Sequence, residues 1–337
     1  MLRGDHMECI ILAGGFGTRL RPVTDHIPKP IIPLLNKPMI MHIIDSLPLE
    51  IDRVILAVNY KKEMLEEFFR RQKESSNPEN SGPEIVFVEE KEPLGTGGAI
   101  KNCESMITGT FMVFNGDVIQ SMDPSQIIGS HRSRKGIGTL AVWEVEDPTR
   151  YGIIGYDADL RIERFLEKPK PEEVFSNFIN AGSYVLEQDI FDHIPGGRKV
   201  SIEREVYPFI LDHGLFAYPF NGYWVDAGTR EDFLRASSIM MDYRNTLVSQ
   251  GEGNYIHPDA KILPPVTLGS DCSIANAVIG PNVVIGDRAR IDRDVRIENA
   301  TLLNDLQIKR GSVVQDSILG DGVVLEERTV VEGKILD

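Results

Sequence analysis

Residues 10–44 read IILAGGFGTRLRPVTDHIPKPIIPLLNKPMIMHII, and the fold follows from that stretch. The apolar run from Cys9 to Ala13 is hydrophobic on both faces, as a strand covered on both sides of a sheet must be. It stops at Gly14-Gly15, Gly17-Thr18-Arg19 follows, and helical spacing resumes after Lys37-Pro38. The order is strand, glycine loop, basic loop, helix. Glycines at 14, 15 and 17 let the backbone approach an anion closely and turn N–H groups towards it, while Arg19, Arg21 and Lys29 bring full positive charges to phosphate oxygens. A plain strand-to-helix turn would explain the glycines but not the Arg-x-Arg and the Pro28-Lys29-Pro30 set behind them. Two familiar phosphate loops do not fit. A Walker A loop needs Gly-Lys-Ser/Thr where this chain has Gly17-Thr18-Arg19, and a dinucleotide fingerprint needs a third glycine where Leu20 stands.

The run Gly14-Gly15-x-Gly17-Thr18-Arg19-Leu20-x-Pro22, followed by Pro28-Lys29-Pro30 and Lys37-Pro38, resembles the signature of the sugar-nucleotide pyrophosphorylases, nucleotidyltransferases that make NDP-sugars from NTP and sugar 1-phosphate. The resemblance implies that Leu12, Ala13, Gly14, Gly15, Gly17, Thr18, Arg19 and Lys29 hold the nucleotide, with Arg19 and Lys29 also catalytic.

At 337 residues the chain has room for roughly two domains, and its 42% hydrophobic content can fill sizeable cores. No apolar run approaches the roughly 18 residues a membrane span needs, so no membrane partner is expected. The polar start is no signal peptide, and Met7 is a candidate initiator with residues 1–6 an extension or cloning remnant. Cys9, Cys103 and Cys272 form neither a metal spacing nor an even disulfide set, which fits core packing in a reducing cytoplasm. A formal net charge of −15 argues against nucleic acid as a partner. Anionic substrates must then be drawn by local Lys and Arg and by a bound cation.

Further along, residues 53–58 read as a strand, 60–72 as an amphipathic helix with Met64, Leu65, Phe68 and Phe69 on one face, and 75–82 as a polar loop. Residues 84–88 form a strand before Pro93-Leu94-Gly95-Thr96-Gly97-Gly98 and a short helix, and 111–115 a strand ending in Gly116-Asp117. This alternation predicts an α/β fold with a doubly wound, Rossmann-like, mostly parallel sheet whose ligands lie at the strands' carboxyl ends. Strands at 138–145, 151–156 and 160–166 predict an antiparallel lobe. A helix at 201–211, a strand at 216–225 ending in Asp226-Ala227-Gly228, a helix at 229–243 capped by Thr229 and a linker at 250–254 complete this part.

Aliphatic residues then recur every six positions at Ile256, Ile262, Leu268 and Ile274, slip by one, and continue at Ile279, Ile285, Ile291 and Ile297. Small or β-branched residues follow most of them four places on: Ala260, Val266, Cys272, Val278, Val283, Ala289 and Val295. This is the hexapeptide pattern of a left-handed parallel β-helix, three edges to a coil of about eighteen residues. The expected domains are a nucleotidyltransferase unit over 8–245 and the β-helix over 254–337, the latter a module for homo-oligomerisation.

The chemistry implied by the resemblance is in-line attack of a sugar phosphate oxygen on the α-phosphorus of an NTP, with Mg²⁺ neutralising charge. Asp117 and Asp226, in the contexts Gly116-Asp117 and Trp224-x-Asp226-x-Gly228, are the expected metal ligands and catalytic carboxylates. Glu167-Lys168-Pro169 resembles the sugar-phosphate clamp, with Lys168 catalytic on the phosphate and Glu167 on sugar hydroxyls. Asn180-Ala181-Gly182 resembles the segment bonding the sugar ring, so Asn180 and Gly182 are sugar-binding candidates. Gly95 and Thr96 lie in the loop expected against base and ribose. Relatives that use uracil or thymine commonly carry Gln where this chain has Glu90, five residues before Gly95. A carboxylate only accepts, which suits the adjacent N1–H and amino donors of guanine. The wording Glu90-x-Glu92-Pro93-Leu94-Gly95-Thr96 resembles the mannose-1-phosphate guanylyltransferases, implying GTP and mannose 1-phosphate, with thymidylyl or uridylyl transfer to glucose 1-phosphate as the alternative.

Two other classes compete. An acyltransferase on the β-helix needs a histidine base, and His257 is the only histidine beyond the linker. A non-catalytic NDP-sugar-binding regulatory subunit typically has an interrupted glycine loop, whereas Gly15-Phe16-Gly17-Thr18-Arg19 is compact.

Overall fold

The computed structural model describes residues 6–75 and 82–337. Residues 1–5 of the expected extension and 76–81 of the expected polar loop lie outside the described residues. The strand Met7–Leu12 runs parallel to Ile51–Val58 on one side and to Phe111–Asn115 on the other, and Ile51–Val58 pairs in parallel with Glu84–Glu89. The chain thus builds outward from Met7–Leu12 in one direction and returns to its opposite flank. That reversal places the switch in strand order at the carboxyl ends of Met7–Leu12 and Phe111–Asn115, the position where open α/β sheets take ligands.

The antiparallel lobe belongs to the same sheet. Phe178–Leu186 pairs antiparallel with Phe111–Asn115 and with Gly138–Glu144, while Gly152–Tyr156 and Ile162–Glu167 extend one edge. Leu215–Pro219 lies parallel to Gly138–Glu144. Ile10, Ile55, Val113 and Tyr184 are fully buried in one core, and Phe111 stacks on Phe191 with ring centroids 5.2 Å apart. Cys9, Cys103 and Cys272 are buried free thiols, and burial pushes that of Cys103 up to about 12.

Three expected elements differ. The amphipathic helix spans Lys62–Ser75 and buries Leu65, with Met64 exposed. The expected helix at 201–211 is a four-residue turn, Ile202–Glu205, followed by the 3-10 turns Tyr207–Phe209 and Leu211–His213, because Pro208 has no N–H to continue a helical ladder. The expected strand at 216–225 is two strands, Leu215–Pro219 and Trp224–Asp226. The helix Arg230–Tyr243 starts as expected, with the Thr229 hydroxyl accepting from the Asp232 N–H at 3.1 Å.

The repeat forms a parallel β-helix, and its coils explain the slip in the hexapeptide count. Strands stack at offsets of 18 residues, as Tyr255 on Ser273, or 17, as Val266 on Val283. Leu268, Ile274, Ile279, Ile285, Ile291 and Ile297 point inward and are buried. Side chains at one corner cap the next coil: Asp287 accepts from Ser270 N–H at 2.8 Å, Asn304 from Asp287 N–H at 2.9 Å and Asp321 from Asn304 N–H at 2.7 Å. The stacking begins at Val248–Gln250, paired with Val266–Leu268, so the expected linker opens inside the first coil.

The chain gathers into two compact units, Met1–Gly15 with Ile43–Trp224, and Phe16–His42 with Val225–Asp337. The segment bearing Arg19 and Lys29 therefore shares a unit with the β-helix.

Candidate active site

In the first unit, three strand ends are brought level by the ladder. Ala13 N–H donates to Ala57 C=O at 2.9 Å, Gly116 N–H to Leu12 C=O at 3.0 Å and Glu90 N–H to Val58 C=O at 2.7 Å. Gly14, Gly116-Asp117 and Glu90 thereby stand along one edge of the sheet. Ala13 is buried and its N–H is used in the ladder, as is the Leu12 carbonyl, so these two shape the edge through the backbone. A Cβ on Gly14 would lie 2.9 Å from Glu90 Oε1, whereas nothing lies within 4 Å of one on Gly15.

Glu90 is 6% exposed, although it sits in a run of charged residues. Its Oε2 accepts from the Leu94 N–H at 2.9 Å, and its own carbonyl accepts from Asn59 Nδ2 at 2.6 Å. Burial raises the Glu90 pKa, and the Leu94 hydrogen bond opposes that rise. Gly95 has φ +70°, and a Cβ there would lie 2.6 Å from the Val200 carbonyl. Thr96 turns its hydroxyl inward, donating to Glu203 at 2.6 Å and accepting from Ile202 N–H at 3.0 Å, so it braces the loop.

Glu167 ends the strand Ile162–Glu167 with its side chain largely covered, and Gly152 leaves room for it, since a Cβ there would lie 2.7 Å from Glu167 Oε2. Burial raises the Glu167 pKa, with nearby Glu203 adding to the rise and Lys168 opposing it. Lys168 adopts φ +53°, and its Nζ stands 3.8 Å from Glu167 Oε1 with the side chain 58% exposed.

Opposite, the strand Phe178–Leu186 bulges: Asn180 pairs with Val142 and Tyr184 with Leu140, so three residues face the single Ala141. Gly182 at φ +76° makes the bulge and lies against Asn115, where a Cβ would meet Nδ2 at 2.6 Å. Asn180 Oδ1 accepts from Gly182 N–H at 3.1 Å, its Nδ2 donates to the Tyr184 hydroxyl at 2.9 Å, and Trp224 Nε1 donates to the Ala181 carbonyl at 2.9 Å.

In the second unit, Gly17 holds φ +63°, its carbonyl accepting from the Thr24 hydroxyl at 2.9 Å. A Cβ there would lie 2.8 Å from Thr24 Cγ2 and 3.2 Å from Lys29 Cβ, so the glycine and the lysine are neighbours. Lys29 is 7% exposed, a degree of burial unusual for a lysine outside a site. Thr18 and Arg19 form the turn Thr18–Leu20. Gly228 makes room for two charges at once: a Cβ on it would lie 2.6 Å from Arg19 Nη2 and 2.9 Å from Asp226 Oδ1. Asp226 ends the strand Trp224–Asp226 in this unit, and Asp117 follows the strand Phe111–Asn115 in the first; a carboxylate in either place suits a hard divalent cation that keeps water and phosphate oxygens as other ligands. Among the described residues no group of three or more His, Cys, Asp and Glu gathers.

Sequence reasoning missed Asn59, Thr24, Asn115, Gly152 and Glu203. Asn59 and Asn115 carried a signal, being polar residues at the ends of apolar strands. Gly152 and Glu203 matter only through partners distant in sequence.

A glycine loop that follows the central strand Met7–Leu12 of a doubly wound sheet is a nucleotide-binding arrangement, and the chain belongs to the nucleotidyl transferase family, whose model matches residues 8–242. A GMPPB C-terminal domain matches residues 275–336. The chain is similar to the mannose-1-phosphate guanylyltransferase of Mycobacterium tuberculosis, 35% identical over 92% of this chain and 83% of that protein. It is 33% identical to mannose-1-phosphate guanylyltransferase 1 of Arabidopsis thaliana, over 93% and 86%. Among solved structures it resembles HddC from Yersinia pseudotuberculosis complexed with GMP-PN, with TM-score 0.56 and 31% identity over 69% of this chain and 99% of that one. A glucose-1-phosphate thymidylyltransferase from Bacillus anthracis gives TM-score 0.63 and 26% identity over 70% and 96%. No helix among the described residues is long and apolar enough to cross a membrane.

Proposed function

We propose that this chain transfers the guanylyl group of GTP to mannose 1-phosphate, giving GDP-mannose and pyrophosphate. The observation that carries the choice of base is the buried Glu90 carboxylate beside Gly14, supported by the names of the relatives above. Each carboxylate oxygen accepts more than one hydrogen bond, so the Leu94 N–H on Oε2 leaves capacity for the two adjacent donors of guanine. A mannose 1-phosphate oxygen attacks the α-phosphorus in line as the bond to the bridging α–β oxygen breaks, and pyrophosphate carries away that electron pair. Gly14, Gly15 and Gly17 admit the triphosphate to the backbone, and Arg19 and Lys29 neutralise its oxygens. Lys168 holds the sugar phosphate, and Glu167, Asn180 and the Gly182 backbone orient the sugar. A divalent cation, Mg²⁺ on this reading, held by Asp117 and Asp226 would supply charge neutralisation between the reacting phosphates.

A pyrophosphate-release assay over five NTPs and several sugar 1-phosphates tests this reading. GTP with mannose 1-phosphate is the expected best pair; a preference for dTTP or UTP with glucose 1-phosphate would replace it. We also propose the boundaries 8–245 and 254–337 for the functional domains, and homo-oligomerisation through the β-helix. Light scattering that returns the 37.7 kDa mass of one chain at micromolar concentration would remove the assembly.

A further inference from the structure

We infer that the C-terminal β-helix is part of the apparatus that holds the nucleotide loop, with Asn36 as the positioning residue that fastens that loop to it. The inference rests on the assignment of Arg19 and Lys29 to the triphosphate. Everything that carries it lies within the second compact unit, which unites Phe16–His42 with Val225–Asp337.

Beyond Lys29 the chain enters a small hairpin, Pro33–Leu34 against Lys37–Pro38, closed by Leu35 and Asn36 alone. Both turn residues have positive φ, 51° and 59°. Asn tolerates that conformation, but a branched apolar residue such as Leu35 does so at a cost, so outside contacts must hold the turn. The contact is visible: Asn36 Nδ2 donates to the Ile285 carbonyl, on the β-helix strand Val283–Ile285, at 2.8 Å. The hairpin connects rigidly back to the lysine, with Ile32 N–H donating to Lys29 C=O at 3.1 Å and Met39 N–H to Ile32 C=O at 3.1 Å.

The same helix serves both ends of the loop. Arg230–Tyr243 packs on Pro33–Leu34 and on the β-helix strands Arg296–Leu302 and Val313–Leu319. Ser238 meets Asn282 at 3.1 Å and the Thr267 hydroxyl meets Met241 Sδ at 3.6 Å. Just before this helix, Gly228 accommodates the Arg19 guanidinium. Midway, His26 Nε2 lies 3.4 Å from Asp337 Oδ2. The basic loop is thus linked to the β-helix domain at His26 and Asn36, while Arg19 lies beside Gly228 just ahead of the helix packed on the coils. Freeing one fastening lets the loop sample arrangements that do not bind, and the apparent nucleotide affinity falls by the competent fraction.

The test uses the full chain with Asn36→Gly, which keeps the positive φ but has no donor, and Asn36→Asp, which tolerates the turn but sets an acceptor against the Ile285 carbonyl. Steady-state kinetics, GTP titration by calorimetry without sugar phosphate, and thermal melting are compared with wild type. One hydrogen bond's net worth predicts GTP KM and Kd raised about fivefold to tenfold in both variants. The mannose 1-phosphate KM and kcat are expected to stay within about twofold on the same principle of separate sites. A role confined to stability would lower the melting temperature and leave the GTP constants alone. GTP KM and Kd within about twofold of wild type in the folded variants overturn the inference whatever the melting temperature does. If Asn36→Gly does not fold, Asn36→Asp carries the same comparison. If wild type prefers another NTP, the guanylyl reading fails and the positioning role is judged on that nucleotide's constants.

Discussion

Gly14 faces the Glu90 carboxylate so closely that a Cβ on residue 14 would lie 2.9 Å from Glu90 Oε1. The two residues lie just past the ends of different strands, Met7–Leu12 and Glu84–Glu89. The first glycine of the signature thus gives the Glu90 carboxylate its seat, and on the proposed reading it would also let the backbone approach phosphate.

Replacing Glu90 with Gln tests both its selectivity and its energetic cost. Amide for carboxylate exchanges one acceptor for a donor, so discrimination of GTP over UTP or dTTP should fall by about tenfold to a hundredfold in kcat/KM. Stability moves the other way. Burial raises the Glu90 pKa above its unfolded value, so its folded form is favoured while protonated: that contribution is whole below the unfolded pKa and is lost as pH rises through the folded one. At pH 7 to 8 the Glu90→Gln protein should melt higher than wild type by a few degrees, with a flatter pH dependence from mildly acid to neutral. An unchanged nucleotide ranking would leave Glu90 a buried structural acid.

The glycine loop should respond unequally to alanine. Gly14→Ala must displace Glu90, and we expect GTP kcat/KM to drop about a hundredfold, roughly 2.7 kcal/mol. Gly15→Ala finds open space around its Cβ, and any loss it shows reports the ligand's own approach. Parallel melting curves and kinetics of the two variants separate these cases; equal, small effects at both positions would mean the loop does not sit against the nucleotide.

The fold was legible wherever a single segment carried its own period. The central strand, the glycine loop, the Thr229-capped helix and the hexapeptide coils all show in local spacing. The β-helix count even showed its one-residue slip, where strands stack at an offset of 17 residues in place of 18. Failures came where a distant partner or a proline decides: the expected helix at 201–211 yields to Pro208, and the expected linker joins the coils because Val266–Leu268 offers it an edge. At the site, residue types at strand ends were readable, but burial was not. Glu90 looks solvated in its charge run and is 6% exposed. Nor was it legible that the Thr96 hydroxyl ties its loop to Glu203.

The two strand-end aspartates are expected to act together. Asp117→Asn and Asp226→Asn each keep shape and remove charge, so a two-carboxylate metal site should lose most of its divalent-cation dependence in either variant. Turnover should fall by more than about a hundredfold, with Mn²⁺ binding followed by electron paramagnetic resonance weakened in parallel. A variant that keeps activity within about tenfold of wild type, or binds Mn²⁺ unchanged, would strike that aspartate from the site.

Glu167 and Lys168 offer a final, internally controlled pair on the sugar-phosphate side. Lys168 is 58% exposed, so Lys168→Met should leave the melting temperature within about a degree while raising the mannose 1-phosphate KM about tenfold or more, the size of a lost hydrogen bond to a charged group. Glu167 is covered, and burial with Glu203 nearby holds its pKa above the usual glutamate value. Its carboxylate must be ionised to accept from two sugar hydroxyls, so kcat/KM for mannose 1-phosphate should fall as pH drops through that raised pKa. Glu167→Gln should lower kcat/KM at neutral pH and abolish this acid limb, since an amide does not titrate. Measuring kcat/KM for each substrate from pH 4.5 to 8 decides the matter: an acid limb that survives in Glu167→Gln, or that appears equally for GTP, assigns the titration to another group and removes Glu167 from the sugar contact.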